Sequence, residues 1–253
     1  MNERTFKTAG LLLALALAGI GASAESPDFA KTLQTIDERS NFSGKDFSAK
    51  IKMVIEDPAK ATEIKSAKTF RRDKTDSFLI LFLEPETQLG QGYLKVDSNL
   101  WFYDPESRKF SHSSLKENMQ GSDAKNSDFN QSSLAADYTV ASSSEGKLGA
   151  YDVWILDLEA KNNEVTYPFK KISVSKTEGF LLKSEDYSLS KRLLRTSYYT
   201  SYIKLGSSYV ADAIQFSDAL VKGKKTKITM TDVSIDSLPD SVFTKEYVER
   251  VNR

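Results

Sequence analysis

The chain has 253 residues, of which 35 are basic and 35 are acidic, so its formal net charge at pH 7 is zero. This balance gives no electrostatic footprint for nucleic acid, and we expect no nucleic-acid partner. The absence of cysteine excludes a disulfide scaffold.

The first 24 residues have the pattern of a secretory signal peptide. A short basic N-terminus precedes an apolar run over residues 9–22, which closes on the cleavage pattern Ala22-Ser23-Ala24. A transmembrane anchor is the rival interpretation, but the run is shorter than the roughly 20 residues that span a bilayer. We therefore expect cleavage after Ala24, a single domain over residues 25–253 and a periplasmic location.

A short helix is predicted at the start of the mature chain. Pro27 suits its first turn, Phe29, Leu33 and Ile36 recur at helical spacing, and Asn41 ends it. At the other end of the chain, Pro239 opens a predicted closing helix over residues 241–251.

The chain between these helices has mainly strand character. Residues 49–55 alternate apolar and polar side chains, as in a half-buried strand, whereas residues 78–83 are apolar throughout and predict a strand covered on both faces. Residues 115–135 are polar and predict loop and short helices. About eleven strands at roughly even spacing indicate one antiparallel meander, either a barrel or an open sheet.

Histidine- and cysteine-dependent catalytic sites have little support in the sequence, which contains one histidine and no cysteine. His112 is the single histidine and lies in a polar strand end, so we expect it to be solvated and predict neither a metal site nor a histidine-dependent nucleophile. Gly223-Lys224-Lys225-Thr226 lacks the first glycine of a phosphate loop and is better interpreted as a basic hairpin turn. An enzyme built on carboxylates stays open, because no Asp or Glu pair stands out.

Two strand segments are apolar or aromatic on both faces. Trp101, Phe102 and Tyr103 are consecutive, and Trp154 lies in a run of apolar residues. A single antiparallel sheet normally has one wet face, so both faces of these strands need a cover. A sheet curved around an apolar cavity and a simple two-layer core both satisfy this requirement.

Several segments resemble a known family. Residues 78–85 (FLILFLEP), 90–96 (GQGYLKV), 99–110 (NLWFYDPESRKF) and 121–129 (GSDAKNSDF) are similar to the outer-membrane lipoprotein-sorting (LolA-like) family of periplasmic proteins. The segments at 165–168 (VTYP), 187–202 and 238–247 (LPDSVFTKEY) resemble its second half, so the likeness extends over most of the mature chain.

This resemblance implies a fold and a function. The family has an unclosed antiparallel β-barrel, in which short helices form a lid over a hydrophobic cavity. Its lipoprotein carriers take acyl chains from an inner-membrane transporter to an outer-membrane acceptor, without cofactor, metal or catalytic residue. Other members are thought to assist hydrophobe exporters. An arginine ties the lid to the barrel in the carriers, and Arg71 and Arg72 are the candidates here.

The strand period and the resemblance together predict the cavity wall. Side chains two apart share a face, so Phe78, Ile80 and Phe82 form one set, which contains two aromatic rings at positions similar to those of the family. Trp101 and Tyr103 share a face by the same rule, and we expect all five to line the cavity. The alternatives are that Trp101 is plain core, or that Leu79, Leu81 and Leu83 face the ligand.

Three functions follow from the sequence. The first is a lipid or lipoprotein carrier that is not an enzyme. The others are a sensor or scaffold that binds a protein partner with the same fold, and an enzyme built on carboxylates.

Overall fold

The computed structural model describes residues 27–42 and 44–251. The predicted signal peptide and its predicted cleavage site lie outside the described residues. The helices of the described part are α1 (Phe29–Ser40), α2 (Leu134–Asp137) and α3 (Lys245–Arg250). Its strands are β1 (Asp46–Glu56), β2 (Glu63–Arg72), β3 (Ser77–Glu84), β4 (Gly92–Val96), β5 (Asn99–Asp104), β6 (Lys109–Ser113), β7 (Tyr138–Leu148), β8 (Tyr151–Ala160), β9 (Phe169–Ser175), β10 (Leu181–Tyr187), β11 (Leu193–Leu205), β12 (Ser208–Asp218) and β13 (Lys225–Ser234).

All thirteen strands of the described residues belong to one sheet in the order β6-β5-β4-β3-β2-β1-β13-β12-β11-β10-β9-β8-β7. Every pairing is antiparallel, and β1 joins the two halves by pairing with β13. The edge strands β6 and β7 do not pair with each other, so the sheet is unclosed. The predicted fold class is confirmed, with thirteen strands rather than about eleven.

Helix α1 covers one half of one sheet face, which we call the inner face. The Asp28 side chain caps it by accepting a bond from the Lys31 amide at 3.1 Å, and the helix ends at Asn41, as predicted. Leu33 and Ile36 are its buried residues. They pack on Tyr138 and on apolar side chains of β8 and β9, so the apolar stripe of the helix positions it on that half.

The loop of residues 114–133 covers the other half of the inner face. It contains two 3-10 turns, Met119–Gly121 and Asn126–Phe129. Met119 and Phe129 are buried against the inner side chains of β1, β3, β12 and β13. The segment predicted as polar loop is therefore a packed element of the core.

The C-terminal segment covers the opposite, outer face. Val242, Phe243 and Val248 pack on Leu79 and Leu81 of β3, which is therefore covered on both faces, as its apolar run predicts. The predicted closing helix is interrupted. A 3-10 turn, Asp240–Phe243, precedes α3, and the Thr244 hydroxyl between them caps α3 by accepting from the Tyr247 amide at 3.2 Å.

Candidate functional site

A cavity of about 240 Å³ lies on the inner face between α1, the loop and the central strands. It is near the rim where β1, β10 and β12 begin. Its apolar wall consists of Ile36, Phe42, Phe47, Phe129, Leu181, Val210, Ile214, Phe216 and Met230. Residues 36–42 and 127–132 close it on the side away from the sheet, and we call these two segments the roof.

Arg71 connects the sheet to both segments of the roof. Its guanidinium donates to the Ser40 carbonyl at 2.8 Å and to the Asn130 carbonyl at 3.3 Å. Arg71 Nε also lies 2.6 Å from Asp73 Oδ1, and the guanidinium stacks 4.8 Å from the centre of the Phe42 ring. One side chain of β2 therefore holds the end of α1 and the loop in place.

Further hydrogen bonds join the two roof segments to each other. Asn41 and Ser132 exchange two bonds of 2.8 Å between side-chain amide and backbone. The Asp37 carboxylate accepts from the Ser132 hydroxyl at 2.6 Å and from the backbone amides of Leu134 and Ala135. The roof is thus one connected unit, and Arg71 is the sheet side chain that bonds to both of its segments.

The cavity has little free charge. Burial lowers the pKa of Arg71, while Asp73 beside it acts in the opposite direction. Burial also raises the pKa values of Tyr199 and Tyr202, so both phenols are neutral, and Tyr202 donates to the Leu181 carbonyl at 2.6 Å. Such a wall suits an apolar ligand with few polar contacts.

Asp128 is the one carboxylate among the described residues that line the cavity, and it is already paired. Its oxygens accept from Arg195 at 2.5 and 3.0 Å. Arg195 also binds the fully buried Asp186, which Lys170 contacts at 2.6 Å. Burial raises the pKa of Asp186, but the two cations outweigh it and hold the pKa at about 2. This cluster anchors the loop to β9, β10 and β11 and leaves no carboxylate pair facing the cavity.

The predicted residues Phe78, Ile80 and Phe82 lie on the inner face and are fully buried. They belong to the core cluster that also contains Phe129 and Phe216 of the cavity wall. They form packed core beside the cavity rather than its surface, and any contact with a ligand remains a prediction.

The prediction that Trp101 and Tyr103 line the same cavity is wrong, because the pairing of β3, β4 and β5 places both side chains on the opposite face of the sheet. Leu94 pairs with both Leu79 and Trp101, so Trp101 lies on the outer face with the leucines of β3. Tyr103 packs on that face in the cluster of Val242 and Phe243. The two aromatic sets are therefore on opposite sides of the sheet.

The two arginine candidates also lie on opposite faces. Arg71 makes the roof contacts that a lid-tethering residue needs. Arg72 instead binds Asp46 at 2.7 and 2.8 Å and donates to the Leu238 carbonyl at 2.5 Å. It ties the C-terminal segment to the outer face.

Sequence reasoning missed the wall residues on β11 and β12, among them Tyr199, Tyr202 and Val210. The register of β11 against β12 shifts twice between Tyr199 and Tyr202, so simple alternation fails there. The one feature of the sequence that could have indicated these wall residues was the aromatic content of β11.

The remaining sequence features are the histidine, possible metal ligands and possible membrane-spanning segments. His112 is exposed on the edge strand β6 and stacks on Trp101, with ring centres 3.7 Å apart. Within residues 27–42 and 44–251 no group of three metal-ligating side chains occurs. No helix in that part is long and apolar enough to cross a membrane.

An unclosed antiparallel half-barrel with a roofed apolar cavity is thus the class of protein that the fold and the site define. A protein-family model whose description reads "Uncharacterized protein" matches residues 74–250, more than half of the chain. The chain belongs to this family, and its fold is that of the LolA superfamily, which confirms the resemblance.

Three solved structures support this assignment of the fold. A LolA superfamily protein from Nitrosomonas europaea is 24% identical, with a TM-score of 0.74 over 86% of this chain and 97% of that chain. A domain from Vibrio parahaemolyticus, named for outer membrane lipoprotein sorting, is 19% identical, with a TM-score of 0.77 over 87% and 98%. A DUF1329 family protein from Desulfovibrio piger is 20% identical, with a TM-score of 0.76 over 87% and 97%. No curated protein matches the chain.

Proposed function

We propose that this protein is a periplasmic carrier or binding protein for an acyl chain, of a lipoprotein or of another lipid. The observation that carries the proposal is the cavity: a nearly uncharged aromatic and aliphatic wall beneath a roof that hydrogen bonds fix to the sheet. Apolar ligands need no more than such a wall, because each buried CH₂ contributes about 0.8 kcal/mol.

The size of the cavity fits one chain better than a whole lipid. Its volume of about 240 Å³ is slightly below the roughly 300–1,000 Å³ of typical ligand pockets. A diacyl ligand therefore requires displacement of the roof, and the same displacement releases it. Arg71, which holds both roof segments, is the residue that we assign to this control.

The transfer partners follow from the same proposal. A periplasmic carrier of acyl chains receives its cargo at the inner membrane, from a transporter, and delivers it to an acceptor at the outer membrane. We assign no catalytic residue, cofactor or metal to the cavity, since its polar groups are phenols, hydroxyls, amides, the Arg71 guanidinium and one carboxylate, and both charged groups are already paired.

Native mass spectrometry of the protein purified from the periplasm of its own host tests the proposal. We expect a bound lipid of discrete mass in the wild type and its loss in Val210→Trp, which fills the cavity. Val251→Trp is the matched control, because Val251 is exposed on the C-terminal segment and should keep the lipid.

The other outcomes of this experiment separate the alternatives. A bound polypeptide without lipid supports the scaffold or sensor. Lipid that is unaffected by Val210→Trp places the ligand elsewhere and contradicts the proposal for this cavity.

A further inference from the structure

Two neighbouring turns carry exposed aliphatic side chains at the rim opposite the cavity. One turn, residues 188–192, joins β10 to β11, and the other, residues 219–224, joins β12 to β13. They are adjacent, because the Ala219 amide donates to the Leu194 carbonyl at 3.0 Å. We call the two turns together the tip.

Three of the seven exposed large apolar residues of the described chain lie on the tip. Leu189 is 78% exposed, and Leu220 and Val221 are 49% and 43% exposed. Single exposed aliphatics are ordinary, whereas a cluster on adjacent projecting turns indicates a contact surface. Both turns are well formed. The Asp218 carboxylate accepts from the amides of Leu220 and Val221 in one turn, and the Ser188 hydroxyl accepts from the Arg192 amide in the other.

Cations are interspersed with these aliphatics. The tip contains Lys191, Arg192, Lys222 and Lys224, and neither turn contains an acidic residue. Lys224 is engaged by Asp123 and Asp218, and Lys191 lies over the Phe169 ring. Arg192 and Lys222 are exposed and form no ion pair within the described residues. The tip therefore presents free positive charge beside exposed aliphatic groups.

From this arrangement we propose that the tip docks on a bilayer that contains anionic phospholipid. The aliphatic side chains enter the boundary between headgroups and acyl chains, and the cations bind the headgroup phosphates. An acidic protein surface would satisfy the cations but not three projecting aliphatics, and a second copy of the tip would repel them. The bilayer satisfies both sets of groups.

The docked orientation follows from the strand directions. Leu194 beside the tip and Tyr202 at the cavity lie on the same strand, β11, eight residues or roughly 27 Å apart at ~3.4 Å per residue. The tip thus holds the protein with its cavity away from the bilayer surface. The proposal goes beyond the acyl-chain function and stands without it.

Vesicle flotation of the mature wild-type protein tests the docking. We expect binding to phosphatidylcholine vesicles containing one-third phosphatidylglycerol, weaker binding to pure phosphatidylcholine, and a loss of binding at high salt. Arg192→Gln with Lys222→Gln should weaken binding roughly 25-fold, at about fivefold for each cation. Leu220→Ser with Val221→Ser should weaken it about tenfold.

A matched variant at the opposite rim serves as the control. Lys74→Gln with Tyr151→Ser removes an exposed cation and an exposed aromatic there and should leave binding unchanged. All substitutions are at exposed positions, and unchanged circular dichroism and melting confirm that each variant folds.

Three results overturn the proposal. The first is that the wild type fails to float with anionic vesicles. The second is that the tip variants float as well as the wild type. The third is a concentration-dependent dimer that Leu220→Ser abolishes. The tip variants should keep any lipid seen by mass spectrometry, so failure of the docking and failure of the cavity function are distinguishable.

Discussion

Arg71 is the residue whose substitution removes a hydrogen bond from each of the two roof segments. In Arg71→Met the Ser40 and Asn130 carbonyls lose their donor, and Asp73 is left without its cation. The side chains are largely buried, at 14% exposure for Arg71 and 5% for Asp73. Removal of one partner from a buried ion pair typically costs about 3–5 kcal/mol, and the partial exposure of Arg71 favours the lower value.

The double variant Arg71→Met with Asp73→Asn tells us how much of this loss comes from the stranded carboxylate. The asparagine side chain carries no charge, and its amide oxygen can still accept the bond that Asp73 receives from the Phe42 amide at 2.6 Å. We therefore expect the double variant to be less destabilised than Arg71→Met. The measurement is urea unfolding followed by circular dichroism, with the coupling taken from the full double-mutant cycle.

Hydrogen exchange shows which part of the protein is loosened by Arg71→Met. Arg71→Met should accelerate exchange of the α1 amides and leave those of β3 to β5 unchanged, because none of the lost hydrogen bonds involves these strands. Arg72→Met is the matched control, since it breaks a similar ion pair with Asp46 on the other face. It should loosen the C-terminal segment instead. Unfolding within about 0.5 kcal/mol of the wild type, or unchanged exchange in α1, would refute the role of Arg71.

The remaining predictions concern the buried charge cluster, the tryptophans and the histidine. The pKa of Asp186 is held at about 2, below its ordinary 3.8. Its ionised form therefore contributes about 2 kcal/mol to the free energy of unfolding above pH 4, and this contribution is lost as the pH falls towards 2. In urea unfolding measured across this pH range, Asp186→Asn should reduce the loss of stability at low pH. Trp154 lies 5.4 Å from the Phe29 ring on α1, so Trp154→Phe should abolish a fluorescence change caused by ligand-induced movement of α1, whereas Trp101→Phe should keep it. The reverse result would return Trp101 to the cavity. His112→Ala should change stability by less than about 0.5 kcal/mol in thermal unfolding, because the ring is exposed, and a larger loss would show that its stacking on Trp101 matters.

The elements that the sequence predicts well are those determined by neighbouring residues. The helix at Phe29 follows from its apolar spacing and its cap, and β3 follows from an unbroken apolar run that needs a cover on both faces. The resemblance added the unclosed topology, which strand spacing alone left undecided between a barrel and an open sheet.

The side of the sheet on which a strand side chain lies depends on pairing, and here sequence reasoning failed. The two-residue turn between β4 and β5 places Trp101 opposite Leu94. The longer connection between β3 and β4 leaves the next register open, and a shift by one residue moves every side chain to the other face. The choice of Trp101 and Tyr103 for the cavity depended on that unknown step. The wall residues of β11 were hidden for a related reason, since register shifts interrupt their alternation.

The two ends of the half-barrel have different chemistry, and this difference bears on how a carrier could work. At one rim the end of α1 is held by Arg71 and a small set of hydrogen bonds, so this segment of the roof is the part that opens most easily. In the other half of the inner face the loop is locked by Arg195 and its carboxylates, and the tip beyond it is fixed by Asp218. A protein held to a membrane by its rigid end keeps its opening end free for a partner. Cargo exchange would then depend on whatever partner displaces the roof, because the bilayer beneath the tip does not reach it.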